Sequence, residues 1–224
     1  MKTIDRKYEF AVNATDVVIF TVKDNKLQVL LIKMKKQPFN KCWALPGGLV
    51  RINETLDASA SRQLFLKTGL KNVYLEQLYT FGDVKRDPFG RVVSTAYFAL
   101  ISDLSQPLKT SEDYSEVKWF PIERLPVLAY DHDKIIKVAF ERMKAKLEYT
   151  NIVCNLLPEQ FTLTDLQKAY EIILKKKLDK RNFRKKINSL KMIKSTGKKV
   201  TGERSRPAAL YQFIKKTPEI IQIL

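Results

Sequence analysis

The chain opens with two apolar runs joined by a short polar turn. Residues 14–33 are apolar on either side of the segment Lys23-Asp24-Asn25-Lys26. Runs of this length bounded by turn residues are typical of β-strands, and Asp and Asn favour the turn of a hairpin. The pattern therefore predicts that a pair of strands begins the fold.

A helix follows the glycine pair at residues 47–48. Asn53 is placed to cap this helix, which should run through Lys67 and end at Gly69. Its apolar residues recur at every fourth position, the spacing of one helix face. They are Leu56, Ala60 and Leu64.

Three strand-like runs and a longer helix complete the first part of the chain. Residues 72–82 and 92–101 are separated by the turn-rich segment 83–91, and prolines end a third run at residues 117–126. Three-four spacing from about Asp133 to Tyr149 predicts a helix with one buried face. Its apolar members are Ile135, Ile136, Ala139, Phe140, Met143 and Leu147.

The pattern changes beyond Pro158 to two short helices and a hairpin. Thr164 with Gln167 resembles a capping box for the first helix, and Asp179 is placed to cap the second. Residues 191–213 then read as strand, turn and strand, which is the order of a winged helix-turn-helix. We therefore expect an α+β protein with a mixed-sheet domain over residues 1–150 and a small winged helix-turn-helix domain over residues 151–224.

Charge is distributed unevenly between the two predicted domains. The chain carries a net charge of +17. Residues 161–224 hold 17 basic and 5 acidic side chains, a net of +12, which leaves +5 for the first 160 residues. This asymmetry predicts a polyanionic partner, with nucleic acid ahead of membrane; a merely solubilising basic surface is the alternative.

Other composition features exclude several classes of protein. Cys42 and Cys154 stand alone, without the spacing of a disulfide framework or a zinc site. No apolar segment is long enough to cross a membrane, and the first ten residues lack the apolar core of a signal peptide. We expect a cytoplasmic protein with no membrane contact.

The segment around the first helix carries a recognisable spacing of glycines, one glutamate and one arginine. It resembles the Nudix box, in which a glycine, five residues, a glutamate and seven residues precede Arg-Glu-aliphatic-any-Glu-Glu-any-Gly-aliphatic. The matching residues are Gly48, Glu54, Arg62, Leu64, Gly69 and Leu70.

The resemblance fails at the metal-binding positions. In the family, the last three glutamates of the box hold magnesium against a diphosphate. Gln63, Leu66 and Lys67 stand at those positions here. A neutral amide, an alkyl chain and a cation are poor magnesium ligands, so we expect no metal, no cofactor and no catalytic residues. A Nudix scaffold that keeps its structural residues but lacks the metal-binding glutamates indicates a binding role.

Further segments are similar to a branch of Nudix-related transcriptional regulators, the NrtR type. Residues 81–100, with FGDVKRDP and STAY, resemble that branch and the ADP-ribose pyrophosphatases, and LAYDHDKII at residues 128–136 is similar too. LDKRNFRKKI and RPAALYQF, residues 178–187 and 206–213, resemble the regulators' recognition helix and last strand. This resemblance implies a homodimer that binds palindromic operator DNA and releases it when a small effector enters the Nudix domain.

The effector and its contacts are implied by the same resemblance. ADP-ribose, another nucleotide sugar or a pentose is implied, and the ALPGG spelling favours the nucleotide sugar. We take Arg86, Asp87, Glu54 and Lys67 as candidate ligand-binding residues. Arg86 suits a diphosphate through its planar fork, although an ion pair with Asp87 or another acid is an equal alternative. The positive charge of Lys67 would favour an anionic ligand; the alternative is that this lysine, at the end of its helix, is simply solvated.

The basic residues of the second short helix and of the wing are the candidate DNA contacts. Helix cations reach phosphates or guanine edges, and an asparagine reads adenine. Each single lysine has the alternative of being a solvated charge. The candidates are Lys180, Arg181, Asn182, Arg184, Lys185, Lys198, Lys199 and Arg204.

Two other functions remain open from the sequence. One is a magnesium-dependent Nudix pyrophosphatase acting on ADP-ribose or a related compound through Glu54 and acids outside the box. The other is an architectural DNA-binding protein without an effector. His132 is expected to have a structural or capping role, and Cys42 to be a packed thiol.

Overall fold

A computed structural model describes residues 10–202, 205–215, 217–221 and 223. Ten strands and four helices are assigned in this part of the chain. The strands are β1 (Val12–Lys23), β2 (Lys26–Met34), β3 (Trp43–Ala44), β4 (Gly47–Leu49), β5 (Tyr74–Phe81), β6 (Val92–Leu100), β7 (Tyr114–Pro121), β8 (Phe161–Thr162), β9 (Ile193–Gly202) and β10 (Ser205–Phe213). The helices are α1 (Leu56–Thr68), α2 (His132–Tyr149), α3 (Leu163–Leu174) and α4 (Lys180–Ser189).

The first seven strands form one mixed sheet. β1 is its centre: it pairs in parallel with β6, and antiparallel with β2 along its second half and with β4 along its first half. β5 pairs with β6, while β3 and β7 pair with β2. The hairpin predicted at residues 23–26 is present, with Asp24 and Asn25 at φ 52° and 56°, as its tight turn requires.

Helices cover both faces of this sheet. The side chains of β1 alternate between two apolar clusters: Val17 and Ile19 pack with α1, whereas Val18 and Phe20 pack with α2. Because both faces are buried, the strand is apolar along its whole length, as the sequence pattern indicated. The α+β fold class is confirmed.

The C-terminal elements form a winged helix. β8, β10 and β9 make a three-stranded antiparallel sheet; α3 packs against β8 and β10, and α4 packs against α3. Leu166, Tyr170 and Ile173 of α3 are fully buried, as their spacing predicted. The apolar cluster under α2 runs without a break into this region, and its members there include Phe161 and Phe183.

Two predicted caps lie at the wrong residue. α1 is capped by Thr55, not Asn53, because residues 51–54 form a turn closed by the bond from Arg51 N to Glu54 Oε1 at 2.8 Å. α3 is capped by Thr162, not Thr164, because strand β8 ends directly at the helix. Asp179 caps α4 as predicted.

The end of the chain folds back over the junction between the two regions. Ile221 N and Ile223 N donate to the carbonyls of Tyr149 and Glu148 at the end of α2. Asn151 Nδ2 reaches the carbonyls of Lys215 and Thr217 at 3.4 Å, and its Oδ1 accepts from Glu219 N at 2.6 Å. The described residues of this tail, 215, 217–221 and 223, therefore hold the end of α2 and the residues just after it, and we call this arrangement the tail clasp.

Candidate ligand cavity and DNA-binding face

A cavity of about 460 Å³ opens at the start of β1. Its walls come from β1, β4, the end of α1, residues 86–92 and the first residues of α2. Most of the lining is apolar or aromatic, and charged groups stand at a few points. The charged members are Asp16, Lys67, Arg86, Asp87 and Arg91.

One wall is a buried cluster of two carboxylates and one guanidinium. Arg86 donates to Asp131 through Nε at 3.2 Å and through Nη2 at 2.8 Å, and Nη2 also lies 3.2 Å from Asp16 Oδ2. Ser94 Oγ donates to the same Asp16 oxygen at 2.6 Å. Arg86 therefore lines the cavity with its charge already balanced by two acids, and neither acid is Asp87.

The buried cluster shifts the titration of its central carboxyl. Burial by itself raises the pKa of Asp16, but interactions with His132, Ser94 and Arg86 outweigh it and lower the pKa to about 2. His132 Nδ1 accepts the backbone N–H of Leu45 at 2.9 Å, and His132 Nε2 lies 3.6 Å from Asp16 Oδ1. The ring therefore carries its hydrogen on Nε2 and holds the backbone at Leu45, between β3 and β4, which is a structural role.

The end of α1 also lines the cavity, through the ammonium of Lys67. Lys67 Nζ donates to the carbonyl of Gly47 and, at 2.6 Å, to the hydroxyl of Tyr114. The amide of Gln63, in the orientation that satisfies its neighbours, also donates to Gly47 O at 3.2 Å. Burial lowers the pKa of Lys67 to about 8.

These residues do not fit a magnesium ion. Two donors, Gln63 and Lys67, converge on the Gly47 carbonyl where the family pattern places acids, and Leu66 is exposed. No group of three or more His, Cys, Asp or Glu side chains in the described ranges is arranged to hold a metal. Magnesium needs a shell of oxygen ligands, which this corner of the cavity does not offer.

Glu54 lies away from the cavity lining. Its carboxylate holds Arg62 in a two-pronged pair, with Arg62 Nε to Glu54 Oε2 at 2.7 Å and a second bond through Nη2. Arg62 also donates to the Leu49 carbonyl at 3.2 Å. Arg62 thus joins α1 both to the preceding loop and to β4, and Glu54 stands apart from the other three candidate ligand residues, which line the cavity.

The cavity also contains residues that the sequence did not single out. Arg91 donates to the backbone carbonyls of Gly82 and Asp83 at 2.9 and 3.2 Å. Phe89, Tyr114 and Tyr130 add aromatic surface, and Phe89 is 70% exposed. Aromatic residues beside cations are typical of nucleotide sites, but these residues come from separate loops that no local pattern connects.

The exposed face of α4 is cationic. Phe183 and Ile187 bury one side of the helix, and at 100° per residue Lys185 lies opposite them, with Arg181 and Asn188 beside it. Lys180, Arg181, Asn182 and Lys185 are all exposed. Asn188 was not among the sequence candidates, although its position three residues after Lys185 places it on the same face.

The remaining candidate DNA contacts differ in exposure. Arg184 is half-buried, and its Nη2 donates to Thr164 Oγ1 at 3.4 Å, so it packs against α3. Lys198 and Lys199 are exposed on β9, just beyond Gly197, whose φ of 74° coincides with a register shift in the pairing of β9 with β10. Arg204 lies outside the described residues.

Comparison with known proteins assigns both regions. The NUDIX domain pattern matches residues 12–141, and the pattern of the NrtR DNA-binding winged helix domain matches residues 153–213. An "ADPR responsive transcriptional repressor NtrR" of Acinetobacter baylyi is 40% identical over 213 residues, covering 92% of this chain and 83% of the relative. An ADP-ribose pyrophosphatase of Methanocaldococcus jannaschii is 40% identical over 115 residues, 51% of this chain and 66% of that protein.

Solved structures give the same assignment. NrtR of Shewanella oneidensis in complex with a 27mer DNA superposes with a TM-score of 0.79 at 36% identity, covering 91% of this chain and 93% of that one. The NUDIX domain of the same protein in complex with ADP ribose covers 63% of this chain and 94% of its own, with a TM-score of 0.56 and 36% identity. This chain therefore belongs to the NrtR family, in which a Nudix domain precedes a DNA-binding winged helix domain.

Proposed function

We propose that the protein is a transcriptional regulator that binds operator DNA through its winged helix and changes its DNA affinity when ADP-ribose or a related nucleotide sugar enters the Nudix cavity. The observation that carries the proposal is the combination, in one chain, of an exposed cationic helix face and a ligand-sized cavity with an inward-pointing ammonium. Such a regulator acts in the cytoplasm, where its operator lies. In the described part of the chain, no helix has the length and apolar character needed to cross a membrane.

The cavity suits a nucleotide sugar better than a free pentose. Its volume lies within the range of small-molecule sites, roughly 300–1,000 Å³. Lys67, with Arg86 and Asp87 on the walls, offers charge for a diphosphate and hydroxyls, and the aromatic surface at Phe89 and Tyr130 suits a base. A free pentose has neither a negative charge to pair with the ammonium nor a base to stack on the aromatic rim.

The DNA contacts are assigned from the faces of the winged helix. α4 is the element placed to enter the major groove, with Lys180, Arg181, Asn182 and Lys185 facing outward. Arg184 contributes from the edge of the helix, while Lys198 and Lys199 of the wing contact the flanking backbone; Arg204, which lies outside the described residues, is proposed to contact DNA from the sequence alone. A homodimer presents two such helices to a palindromic site.

The protein binds its effector without cutting it. A Nudix hydrolase needs a metal to activate water, and the acids of that metal site are replaced by Gln63, Leu66 and Lys67. The matched pyrophosphatase makes hydrolysis the second candidate, and magnesium-dependent release of AMP from ADP-ribose tests it. We expect no turnover from the wild type. Turnover that appears only when Gln63, Leu66 and Lys67 are all changed to glutamate would support the loss of catalysis.

Fluorescence anisotropy with a labelled duplex from upstream of the protein's own gene tests the regulator. We expect tight, competitor-resistant binding that ADP-ribose weakens. Binding that ignores ADP-ribose but responds to arabinose would transfer the effector role to a pentose. Absence of specific binding to this duplex would move the search for the operator to genomic selection of sites and make the ADP-ribose hydrolysis assay the next test.

Salt dependence then counts the phosphate contacts. Each one adds about 0.9 to the negative slope of log affinity against log salt concentration. Lys185→Gln on α4 is expected to weaken binding and to lower the slope by about that amount. Lys137→Gln removes the same charge from the exposed face of α2 and serves as the matched control, with no change in slope expected.

A further inference from the structure

The corner of the cavity at the end of α1 holds hydrogen-bond donors where a metal-dependent site needs acceptors. Gln63 and Lys67 both donate to the carbonyl of Gly47, and Lys67 also donates to Tyr114 Oη at 2.6 Å. The carbonyl of Gly47 is therefore turned toward an ammonium. A divalent cation placed here would meet the positive charge of Lys67.

The ammonium of Lys67 and the guanidinium of Arg86, which both line the cavity, differ in how their charges are balanced. Arg86 is balanced by Asp16 and Asp131 at hydrogen-bond distance. Among the described residues, no carboxylate lies within 4 Å of Lys67 Nζ; its partners there are a carbonyl and a hydroxyl. Lys67 thus brings a positive charge to the cavity wall without a direct ion pair, and an anionic ligand can supply the missing partner.

The surroundings keep this ammonium in place and charged. Lys67 is half-buried. Its Nζ lies 4.8 Å from the centre of the Tyr114 ring, within the range of a cation–π contact. Burial lowers the pKa of Lys67 to about 8, which still leaves the charged form dominant at neutral pH. Asp16, the strand partner of Gly47, and Asp113 act in the opposite direction and favour the charged form.

We infer that the Lys67 ammonium takes the electrostatic place of a divalent cation in this cavity, holding the ligand's diphosphate directly so that binding needs no metal. The inference rests on the proposed function and extends it to the mode of ligand recognition. A tethered ammonium compensates the diphosphate charge as a metal does, but it has no coordination position in which to activate a water molecule. Lys67 can thereby support diphosphate binding without supporting hydrolysis.

Isothermal titration calorimetry of the full-length protein with ADP-ribose tests the inference, once in magnesium and once in EDTA. We expect the same affinity in both buffers. Lys67→Gln should weaken ADP-ribose at least about 10-fold, the loss of one charge-assisted hydrogen bond. Lys67→Arg, which keeps the charge, should retain more of the affinity than Lys67→Gln.

Lys71→Gln is the matched control. Lys71 is exposed just beyond the same helix, where its Nζ lies 4.6 Å from the Phe65 ring and outside the cavity lining, so its loss should leave affinity within about 3-fold. Thermal melts of each variant separate lost binding from lost folding.

Three results would overturn the inference. They are ADP-ribose binding that requires magnesium, equal losses in Lys67→Gln and Lys71→Gln, and no ADP-ribose binding by the wild type. The third also removes the proposed effector, and DNA binding measured on the same sample then tells whether the regulator itself survives. The first two leave the regulator and its effector intact.

Discussion

At the scale of single residues, Arg86 is the side chain on which the cavity wall depends most. It is 7% exposed and joins Asp131 to Asp16, whose positions are 45 and 70 residues from it in the chain. Removing one partner from a buried ion network leaves uncompensated charge, which is costly because water cannot reach it.

Arg86→Met is expected to lower the free energy of unfolding by about 3 kcal/mol or more, because Asp16 and Asp131 lose their shared cation. Urea denaturation measures the change. Arg91→Met is the control: Arg91 bonds only to backbone carbonyls at the cavity rim, and we expect a loss of less than about 1 kcal/mol. Equal losses in both variants would contradict the structural role of Arg86.

The lowered pKa of Asp16 makes a prediction about acid stability. Its folded pKa, about 2, lies below the ordinary value of 3.8, so its contribution is present above pH 3.8 and is lost as pH falls toward 2. The difference in unfolding free energy between wild type and Asp16→Asn should therefore shrink by about 2 kcal/mol across that interval. Urea titrations at several pH values measure it, with the exposed Asp133→Asn as control. A difference that is constant with pH would contradict the shift.

At the scale of elements, helix α3 is capped by Thr162 and not by the nearby Thr164, so the two threonines should differ in their effect on stability. Thr162 Oγ1 accepts from Asp165 N at 3.1 Å, and the Asp165 carboxylate accepts from Thr162 N at 3.0 Å, which completes a reciprocal box. Thr162→Ala is expected to cost about 1 kcal/mol of stability. Thr164→Ala should cost less, since that hydroxyl only accepts a 3.4 Å bond from Arg184. Thermal unfolding of the two variants makes the comparison, and a larger loss at Thr164 would contradict the assignment.

Local pattern was sufficient for most elements and insufficient for the site. The hairpin at residues 23–26 and the buried stripes of α2 and α3 follow from spacing and turn chemistry alone. The caps were misplaced because Ser, Thr, Asn and Asp all cap well, and the choice between Asn53 and Thr55 depends on how Glu54 is held by Arg62. The cavity could not be predicted from the sequence. Asp16, Arg86 and Asp131 are far apart in the chain, and only the folding of the sheet and the packing of α2 on it bring their side chains into contact.

At the scale of the whole molecule, the two regions are joined by packing as well as by chain. The apolar cluster beneath α2 continues into the winged helix, and the tail clasp adds hydrogen bonds around Asn151, which is 2% exposed. A junction with buried polar contacts of this kind opens less readily than a flexible linker.

Asn151→Ala is expected to loosen the tail clasp, because three hydrogen bonds from one side chain are lost at a buried position. Trypsin cleavage after Lys215 should become faster than in the wild type, as followed by mass spectrometry. Asn155→Ala is the matched control: its side chain bonds locally to the Ile152 carbonyl at 3.3 Å. Unchanged cleavage in Asn151→Ala would show that other contacts hold the tail.

Helix α2 begins at the cavity with His132 and ends inside the tail clasp at Tyr149. Its 18 residues span about 27 Å as one rod, and each residue added to such a rod rotates the remainder of the chain by about 100°. An insertion or deletion of one residue would turn the winged helix by more than a quarter of a circle relative to the Nudix domain. Substitutions on the outer face of α2 should therefore be tolerated, whereas a change in its length should not, because the cavity and the tail clasp fix the positions of its two ends.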